Sequence, residues 1–208
     1  MKNFQTILKE KGYYKGEIDG IIGPMSLAAT QQYVLDEIAK RKWVKPKTEF
    51  VWIRTDQTFD NKFADIVVRF NQGKADMVLP CSTTAGDFYV FNPLTVGGIT
   101  GVAVAAEQQI IESHKFVTSK TWKSLWLGAP YFQQVRPITI YRDGNKNKNL
   151  DKSITQFGLY GINFHRGGIG SLVDRWSAGC QVVPDKQWFE AIKIFTNGQS
   201  TNFTLFET

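Results

Sequence analysis

The hydrophobic period of this 208-residue chain changes at a basic, proline-containing segment, residues 40–47. Before this segment, apolar residues such as Phe4, Ile7 and Leu8 recur at the spacing of a helix face, which predicts α-helices. After it, short runs rich in β-branched and aromatic residues lie between turn residues, which predicts strands. The sequence therefore predicts an α+β chain in two parts, a small helical part at 1–45 that includes the basic linker and a mainly-β part at 46–208.

The N-terminal part is predicted to be a helical hairpin. One helix covers residues 4–10, a turn rich in glycine follows, and a second helix runs from residue 25 or 26 to about 39. The turn contains Gly-Tyr-Tyr-Lys-Gly-Glu-Ile-Asp-Gly at residues 12–20. Residues 3–36 resemble the peptidoglycan-binding domain that many cell-wall enzymes carry. The resemblance implies glycan contact by Tyr13 and Tyr14, while tight turns and core packing use the same residue types, so both interpretations stay open.

The C-terminal part is predicted to be a β-rich domain with one main helix. Asn71-Gln72-Gly73-Lys74 predicts a hairpin turn between two strands. A helix is predicted at 186–195, with Asp185 as its N-cap. The predicted strands are 50–54, 66–70, 75–79, 102–105, 138–141, 160–164, 181–183 and 203–206.

One histidine and one cysteine stand at the ends of two predicted strands. His165 follows the run 160–164, and Cys180 precedes the run 181–183. A free thiol titrates near ~8.5, so an imidazole that takes its proton produces the thiolate, which is the nucleophilic form. Gly179 permits a sharp turn and backbone donors for an oxyanion, and Ser177 is placed to fix the imidazole tautomer. The pattern favours a cysteine nucleophile with a histidine base.

The order His165, loop, Ser177-Ala178-Gly179-Cys180 resembles the signature of the L,D-transpeptidase catalytic domain. The resemblance extends over most of residues 50–208. It implies a mainly-β sandwich or barrel that acts on peptidoglycan stem peptides through a cysteine acyl-enzyme.

The chain departs from this family's pattern at two positions. The family usually has glycine directly after the histidine, where this chain has Arg166, and arginine two places after the cysteine, where it has Val182. We expect Arg166 or Arg175 to replace the family arginine in substrate binding.

Several functions remain compatible with this motif. An amine acceptor would make the protein an L,D-transpeptidase, whereas water would make it an L,D-carboxypeptidase or endopeptidase, for example a phage-type endolysin. The absence of the family arginine at Val182 favours a different class, a non-catalytic wall-binding or virion structural protein with a degenerate fold. A cysteine acyltransferase or protease that acts on proteins is a third possibility, against which the N-terminal motif argues.

The charge and the motifs of the chain bear on its binding partners and on where it acts. The net charge of +6 and the isoelectric point near 9.2 favour polyanionic surroundings, which could be nucleic acid, anionic lipid or a bacterial wall. No nucleic-acid-binding module is visible, and no membrane span or apolar signal segment opens the sequence. We expect synthesis in the cytoplasm and action at the cell wall after release, injection or transport in a phage particle. No feature of the sequence indicates an oligomeric state.

The remaining reactive residues are predicted to be structural. Cys81 ends an apolar run without a partner base, so both cysteines are expected to be free thiols. His114 has no patterned neighbours that would make a metal site. The loop 143–151 alternates oxygen-bearing side chains like half of a calcium loop, but it lacks the glycine and the final acid, which favours a solvated turn. No metal or cofactor is expected. The four aromatic residues Trp122, Trp126, Tyr131 and Phe132 could line a substrate groove or fill the core.

Overall fold

The computed structural model describes residues 1–118 and 128–208. Within these ranges strands dominate, and the helices are few. The elements in chain order are α1 (Lys2–Glu10), α2 (Pro24–Lys40), β1 (Glu49–Arg54), β2 (Asp65–Asn71), β3 (Lys74–Cys81), α3 (Asp87–Phe91), β4 (Thr95–Val96), β5 (Ile99–Thr100), β6 (Val102–Ala105), β7 (Gln108–Val117), β8 (Tyr131–Gln134), β9 (Ile138–Asp143), β10 (Thr155–Gly158), β11 (Phe164–Arg166), a 3-10 helix (Asp174–Trp176), β12 (Gln181–Val183), α4 (Asp185–Ala191) and β13 (Ser200–Glu207).

Eight strands form one sheet that curves until its edges nearly meet. The strand order is β12-β11-β8-β7-β13-β1-β2-β3. Ser82, directly after β3, exchanges two backbone hydrogen bonds with Val182 of β12, with N···O distances of 2.9 and 3.0 Å. Contact between the two edges satisfies backbone groups that an open sheet would expose. A three-stranded sheet, β10-β9-β6, lies beside this nearly closed sheet.

Strands β1 and β2 are buried on both faces, because each face has its own apolar layer. Side chains alternate along a strand, so neighbouring residues enter different layers. Trp52 packs in the interior of the curved sheet with Phe132, Phe164 and Trp188. Its neighbours Val51 and Ile53 face the other way, into the layer that the N-terminal helices cover.

Helices α1 and α2 pack on the outside of the sheet. Phe4, Leu8 and Tyr33 are almost completely buried in one cluster with Val68 and Phe206 of the sheet. The predicted boundary between residues 45 and 46 therefore separates two segments that share a core, and independent folding of 1–45 remains a prediction. No helix in the described ranges is long and apolar enough to cross a membrane.

Most of the predicted elements are confirmed, with two differences near the proposed site. The predicted strand 160–164 is wrong except at its end, because β11 begins only at Phe164. The amides of Tyr160 and Ile162 donate to Oε1 of Gln134 instead of a neighbouring strand, at 3.1 and 3.0 Å. Helix α4 ends at residue 191, and its N-cap is Pro184 rather than Asp185. The predicted hairpin turn after β2 is confirmed.

Candidate active site

His165 lies on β11, and Cys180 directly precedes the adjacent strand β12. Strands β11 and β12 are parallel, with His165 opposite Val182 and Phe164 opposite Gln181. Extending this register by one position places Asn163 opposite Cys180. The pairing of β11 with β12 therefore places His165 and Cys180 on neighbouring segments of the chain. The fold thus brings together the two residues that the motif singled out.

The thiol of Cys180 is half-buried and lies in a nest of backbone groups. Asn163 N–H donates to its Sγ, and the thiol donates to the carbonyl of Gly161, both at 3.4 Å. Cys180 also lines a cavity of about 90 Å³. The other residues that line the cavity are Tyr89, Leu94, Val96, Gly101, Val102, Ala103, Arg142, Tyr160, Gly161, Ile162 and Ala178. A substrate group in this cavity would contact the thiol.

The hydrogen bonding of His165 defines its tautomer. Nδ1 of this buried imidazole lies 2.7 Å from the carbonyl oxygen of Arg166. A carbonyl can only accept, so Nδ1 carries the proton, and in the neutral ring Nε2 keeps its lone pair. Nε2 is therefore the basic nitrogen, as a general base for a thiol requires.

The carbonyl of Arg166 contacts Nδ1 of His165, and a role of Ser177 in fixing the tautomer remains a prediction. The Ser177 hydroxyl donates to the carbonyl of Cys180 at 2.8 Å and accepts the amide of Gly179 at 3.0 Å. Ser177 therefore holds the turn that precedes Cys180. The Gly179 amide is used inside this turn, and oxyanion binding by backbone amides near Gly179 and Cys180 remains a prediction.

Gly179 is required at its position for two reasons. Its φ of +135° lies in a region that residues other than glycine rarely adopt. A Cβ atom at this position would lie 1.8 Å from the carbonyl oxygen of Ala103. The turn before Cys180 thus packs directly against β6, which forms one wall of the cavity.

Arg166 and Arg175 are not among the residues that line the cavity. The Arg166 guanidinium forms an ion pair with Asp185 at the start of α4 and lies 5.3 Å from the centre of the Trp176 ring. The Arg175 guanidinium lies 3.8 Å from the ring centre of Phe88. Substrate binding by either arginine remains a prediction.

The two tyrosines of the N-terminal motif hold the hairpin together. Tyr13 donates to Asp36 at 3.0 Å, and its ring centre lies 5.3 Å from that of Tyr33. Partial burial and the hydrogen bond to Asp36 raise the pKa of Tyr13. Tyr14 is buried and donates to the carbonyl of Glu17 at 3.0 Å. Both side chains have structural partners, and glycan contact remains a prediction.

Two buried polar residues that the motif did not include fix the backbone around the thiol. Oε1 of Gln134 accepts hydrogen bonds from the backbone amides of Tyr160 and Ile162. The backbone amide of Gln134 donates to Oδ1 of Asn163 at 2.9 Å. His114 is fully buried, its Nε2 donates to the carbonyl of Ile162 at 2.7 Å, and burial lowers its pKa to about 3. It therefore stays neutral and positions the segment that contacts Sγ.

Arg142 is a cavity residue that the sequence analysis missed. It lies on β9, is only 3% exposed, and lines the cavity together with Cys180. The signal available in the sequence is a single arginine within the apolar run Ile-Thr-Ile-Tyr-Arg. A charge inside such a strand is either paired in the core or directed into a site.

The cysteines and the four aromatic residues singled out in the sequence can be compared with the structure. Both cysteines are free thiols, as predicted, and Cys81 is fully buried, which raises its pKa well above the ordinary value. Tyr131 and Phe132 fill the core, whereas Trp122 and Trp126 lie outside the described residues.

The loop 143–151 uses its oxygen atoms to stabilise its own backbone. Asp143, Asn145 and Asn147 each accept the amide two residues further on, at 3.2, 3.0 and 2.7 Å. These are the hydrogen bonds of successive Asx turns. No group of three potential metal ligands occurs in the part of the chain that the structure describes.

No protein-family model matches the chain, and no curated protein matches it. Among solved structures, it is similar to the L,D-transpeptidase of Xylanimonas cellulosilytica DSM 15894, with 12% identity and a TM-score of 0.30 over 99% of this chain and 92% of that one. It is also similar to the Ldtfm–avibactam carbamoyl enzyme, with 14% identity and a TM-score of 0.32 over 78% of this chain and 49% of that one. TM-scores of this size do not establish a shared fold, so the assignment of this chain depends on its own geometry.

Proposed function

We propose that the protein is a cysteine-dependent peptidoglycan enzyme in which Cys180 attacks a carbonyl of a stem peptide. The observation that carries this proposal is the thiol at a cavity wall, directly before the strand that pairs with β11, which holds an imidazole whose basic nitrogen is Nε2. The order of histidine, serine, glycine and cysteine, which resembles the L,D-transpeptidase signature, supplies the substrate class.

The proposed reaction begins with transfer of the thiol proton from Cys180 to Nε2 of His165. The thiolate then adds to the carbonyl carbon of the third stem-peptide residue, and an S–C bond forms. The C–N bond to the fourth residue breaks, the leaving amine takes the proton from His165, and a thioester remains on Cys180. The carbonyl of Arg166 keeps the ring oriented through both proton transfers.

The acceptor that resolves the thioester decides the outcome. An amine from a neighbouring stem peptide gives a cross-link, which is L,D-transpeptidation. Water gives hydrolysis, which is carboxypeptidase, endopeptidase or lysin activity. Since both acceptors use the same acyl-enzyme, we propose the acyl transfer to Cys180 as the common step.

The test is incubation of the full chain with purified tetrapeptide muropeptides, followed by mass spectrometry of the products and of the intact protein. We expect a thioester adduct on Cys180 and a shortened or cross-linked muropeptide. Cys180→Ala should give neither, while the matched variant Cys81→Ala should keep its activity if it folds. Turnover by folded Cys180→Ala would overturn the mechanism.

A second candidate is a non-catalytic protein of the wall or of a virion, in which residues 1–45 contribute peptidoglycan binding. The observation that favours it is Val182, which is buried and hydrogen-bonded to Ser82 where the family pattern has arginine. Sedimentation with isolated peptidoglycan sacculi, without any adduct or product from a folded protein, would favour this candidate.

A further inference from the structure

The buried arginine of the cavity has no acidic partner. Arg142 is 3% exposed, and it takes part in no ion pair among the described residues. The nine residues at 119–127, which the structure does not describe, include no Asp or Glu in the sequence. Arg54, which is also deeply buried, has such a partner, since its Nη1 lies 2.9 Å from a carboxylate oxygen of Glu207. Arg142 is therefore a desolvated cation held by neutral groups alone.

Those neutral groups fix the direction of the guanidinium. Nε donates to Oε1 of Gln156 at 2.7 Å, and Nη1 donates to the carbonyl of Gly101 at 3.2 Å. The ring centre of Tyr160 lies 5.0 Å from the guanidinium carbon. Nη2 donates to no described residue and is not one of the fully buried unsatisfied atoms, so it retains some accessible surface in a residue that lines the cavity.

An unpaired buried cation is costly, and folding alone does not explain it. Burial lowers the pKa of Arg142, because the charged form loses its hydration and no carboxylate compensates. Buried charges are normally paired, and guanidinium groups match the two oxygens of a carboxylate. An anion bound in the cavity would supply the missing partner.

We propose that Arg142 binds a carboxylate of the stem peptide next to the bond that Cys180 attacks. This proposal rests on the proposed function, since it assigns the substrate group that the same cavity recognises. The cavity of about 90 Å³ contains both side chains, so the carboxylate belongs to a residue at the scissile bond. Two groups satisfy this condition: the terminal carboxylate of the leaving fourth residue, and the side-chain carboxylate of diaminopimelate at the third.

Matched substrates separate these two sources. Tetrapeptides with a free acid or an amide at the C-terminus differ only in the first carboxylate, and diaminopimelate and lysine at the third residue differ in the second. Arg142→Gln should lower kcat/KM about 10- to 100-fold for substrates that contain the recognised carboxylate, chiefly through KM. For the substrate that lacks this carboxylate, Arg142→Gln should change kcat/KM little.

The control is Arg136→Gln, because Arg136 is exposed and pairs with Glu112 away from the cavity. This variant should keep the wild-type preference. An equal loss on all four substrates in Arg142→Gln would show that Arg142 only supports the backbone, and would overturn the proposal.

A second experiment does not depend on peptidoglycan. Iodoacetate and iodoacetamide alkylate the same thiol, but only iodoacetate carries a carboxylate. The ratio of their rates at Cys180, measured by intact mass and peptide mapping, should fall about 5- to 10-fold in Arg142→Gln. Arg142→Lys keeps the positive charge but not the planar pair of N–H donors, so it should give an intermediate ratio. This variant replaces Arg142→Gln in the experiment if Arg142→Gln unfolds.

The two experiments fail in different ways. The wild-type protein could fail to turn over muropeptides while Cys180 still prefers the anionic reagent in a way that depends on Arg142. That result would reject the proposed function and keep the carboxylate site. An unchanged alkylation ratio in a folded Arg142→Gln variant would reject the carboxylate site whatever the enzyme does.

Discussion

The cavity end of the sheet and the N-terminal helical hairpin use buried polar groups in opposite ways. In the hairpin, the buried amide of Gln5 is satisfied within the motif, since its Nε2 donates to Asp19 at 2.9 Å and its Oε1 accepts the amide of Gly20 at 2.6 Å. At the cavity, Cys180 and Arg142 border empty space instead. Both regions carry family-like motifs, but only the cavity end directs reactive groups toward a place for a ligand.

This difference indicates which buried polar groups contribute to the stability of the fold and which are available for activity. Burial of polar groups costs free energy unless they are hydrogen-bonded, so polar groups around a cavity are a sign of function. Changes at the cavity end should remove activity, whereas changes in the hairpin should remove stability. The predictions below test that separation, beginning with the largest effect.

Substitution of the proposed base should give the largest effect. His165→Gln removes the nitrogen that accepts the thiol proton, so kcat/KM for muropeptides should fall roughly 10²- to 10⁴-fold. Activity is measured on protein whose circular dichroism spectrum matches the wild type. A loss of less than about threefold would show that His165 is not the base.

Substitution in the hairpin core should affect stability. Phe4→Ala removes a side chain that is 1% exposed and shares a core with the sheet, so the free energy of unfolding should fall by about 3–5 kcal/mol. Chemical denaturation measures this change, and the activity of the folded fraction should stay constant. The exposed residue Met25 gives the control, since Met25→Ala should be nearly neutral.

The shape of the same denaturation curve tests the shared core. One transition for the whole chain, lowered by Phe4→Ala, would agree with the common packing of helices and sheet. Two transitions, of which only one moves, would show that residues 1–45 fold independently.

Glu49, at the start of β1, should make the protein less stable as the pH rises. Burial raises its pKa from 4.5 to about 7, so the folded state holds a proton between these values that the unfolded state has lost. Stability from this group is present below pH 4.5 and is lost as the pH rises through 7. At 1.36 kcal/mol per unit, the loss approaches about 3 kcal/mol above pH 8.

Glu49→Gln should therefore raise the melting temperature more at pH 8 than at pH 4.5. His114 acts in the opposite direction below pH 6.5, because its folded pKa is about 3, but it contributes equally to both proteins and cancels in the difference. A Glu49→Gln effect that is independent of pH would contradict the burial argument.

The smallest effect is expected at Tyr13. Tyr13→Phe removes one partly exposed hydrogen bond to Asp36, so the free energy of unfolding should change by about 1 kcal/mol or less. Sedimentation with peptidoglycan sacculi should not change. Loss of sacculus binding without loss of stability would make Tyr13 a glycan contact and would weaken the contrast between the two regions.

The parts of the fold that could be predicted are those with a local signal. Strands β1 and β2 are continuous β-branched and aromatic runs, and the turn after β2 has left-handed residues at Gln72 and Gly73. Strand β7 was missed because its ten residues are largely polar, and Glu112 interrupts it with a φ of +50°. Its place in the sheet follows from pairing with β8 and β13, which are distant in sequence.

The same distinction applies to the site. The proximity of the segments that hold His165 and Cys180 could be predicted, because β11 and β12 pair directly. Arg142 reaches the cavity from β9, whereas Gln134 and His114 hold the backbone of Ile162 from β8 and β7. No local pattern relates these three residues to the cysteine. The partners of Ser177 could not be predicted, because they depend on how the turn folds back on itself.

The most direct test of the central claim compares the two cysteines in one protein. The wild-type chain is treated with iodoacetamide across pH 5–9, and adducts are followed by intact mass and peptide mapping. A free thiol titrates near ~8.5. We predict a single adduct on Cys180 that forms faster near neutral pH than in a simple thiol, with Cys81 unmodified until the protein unfolds. Modification of Cys81 first, or reaction of Cys180 only with the pH dependence of an ordinary thiol, would contradict an activated nucleophile at this cavity.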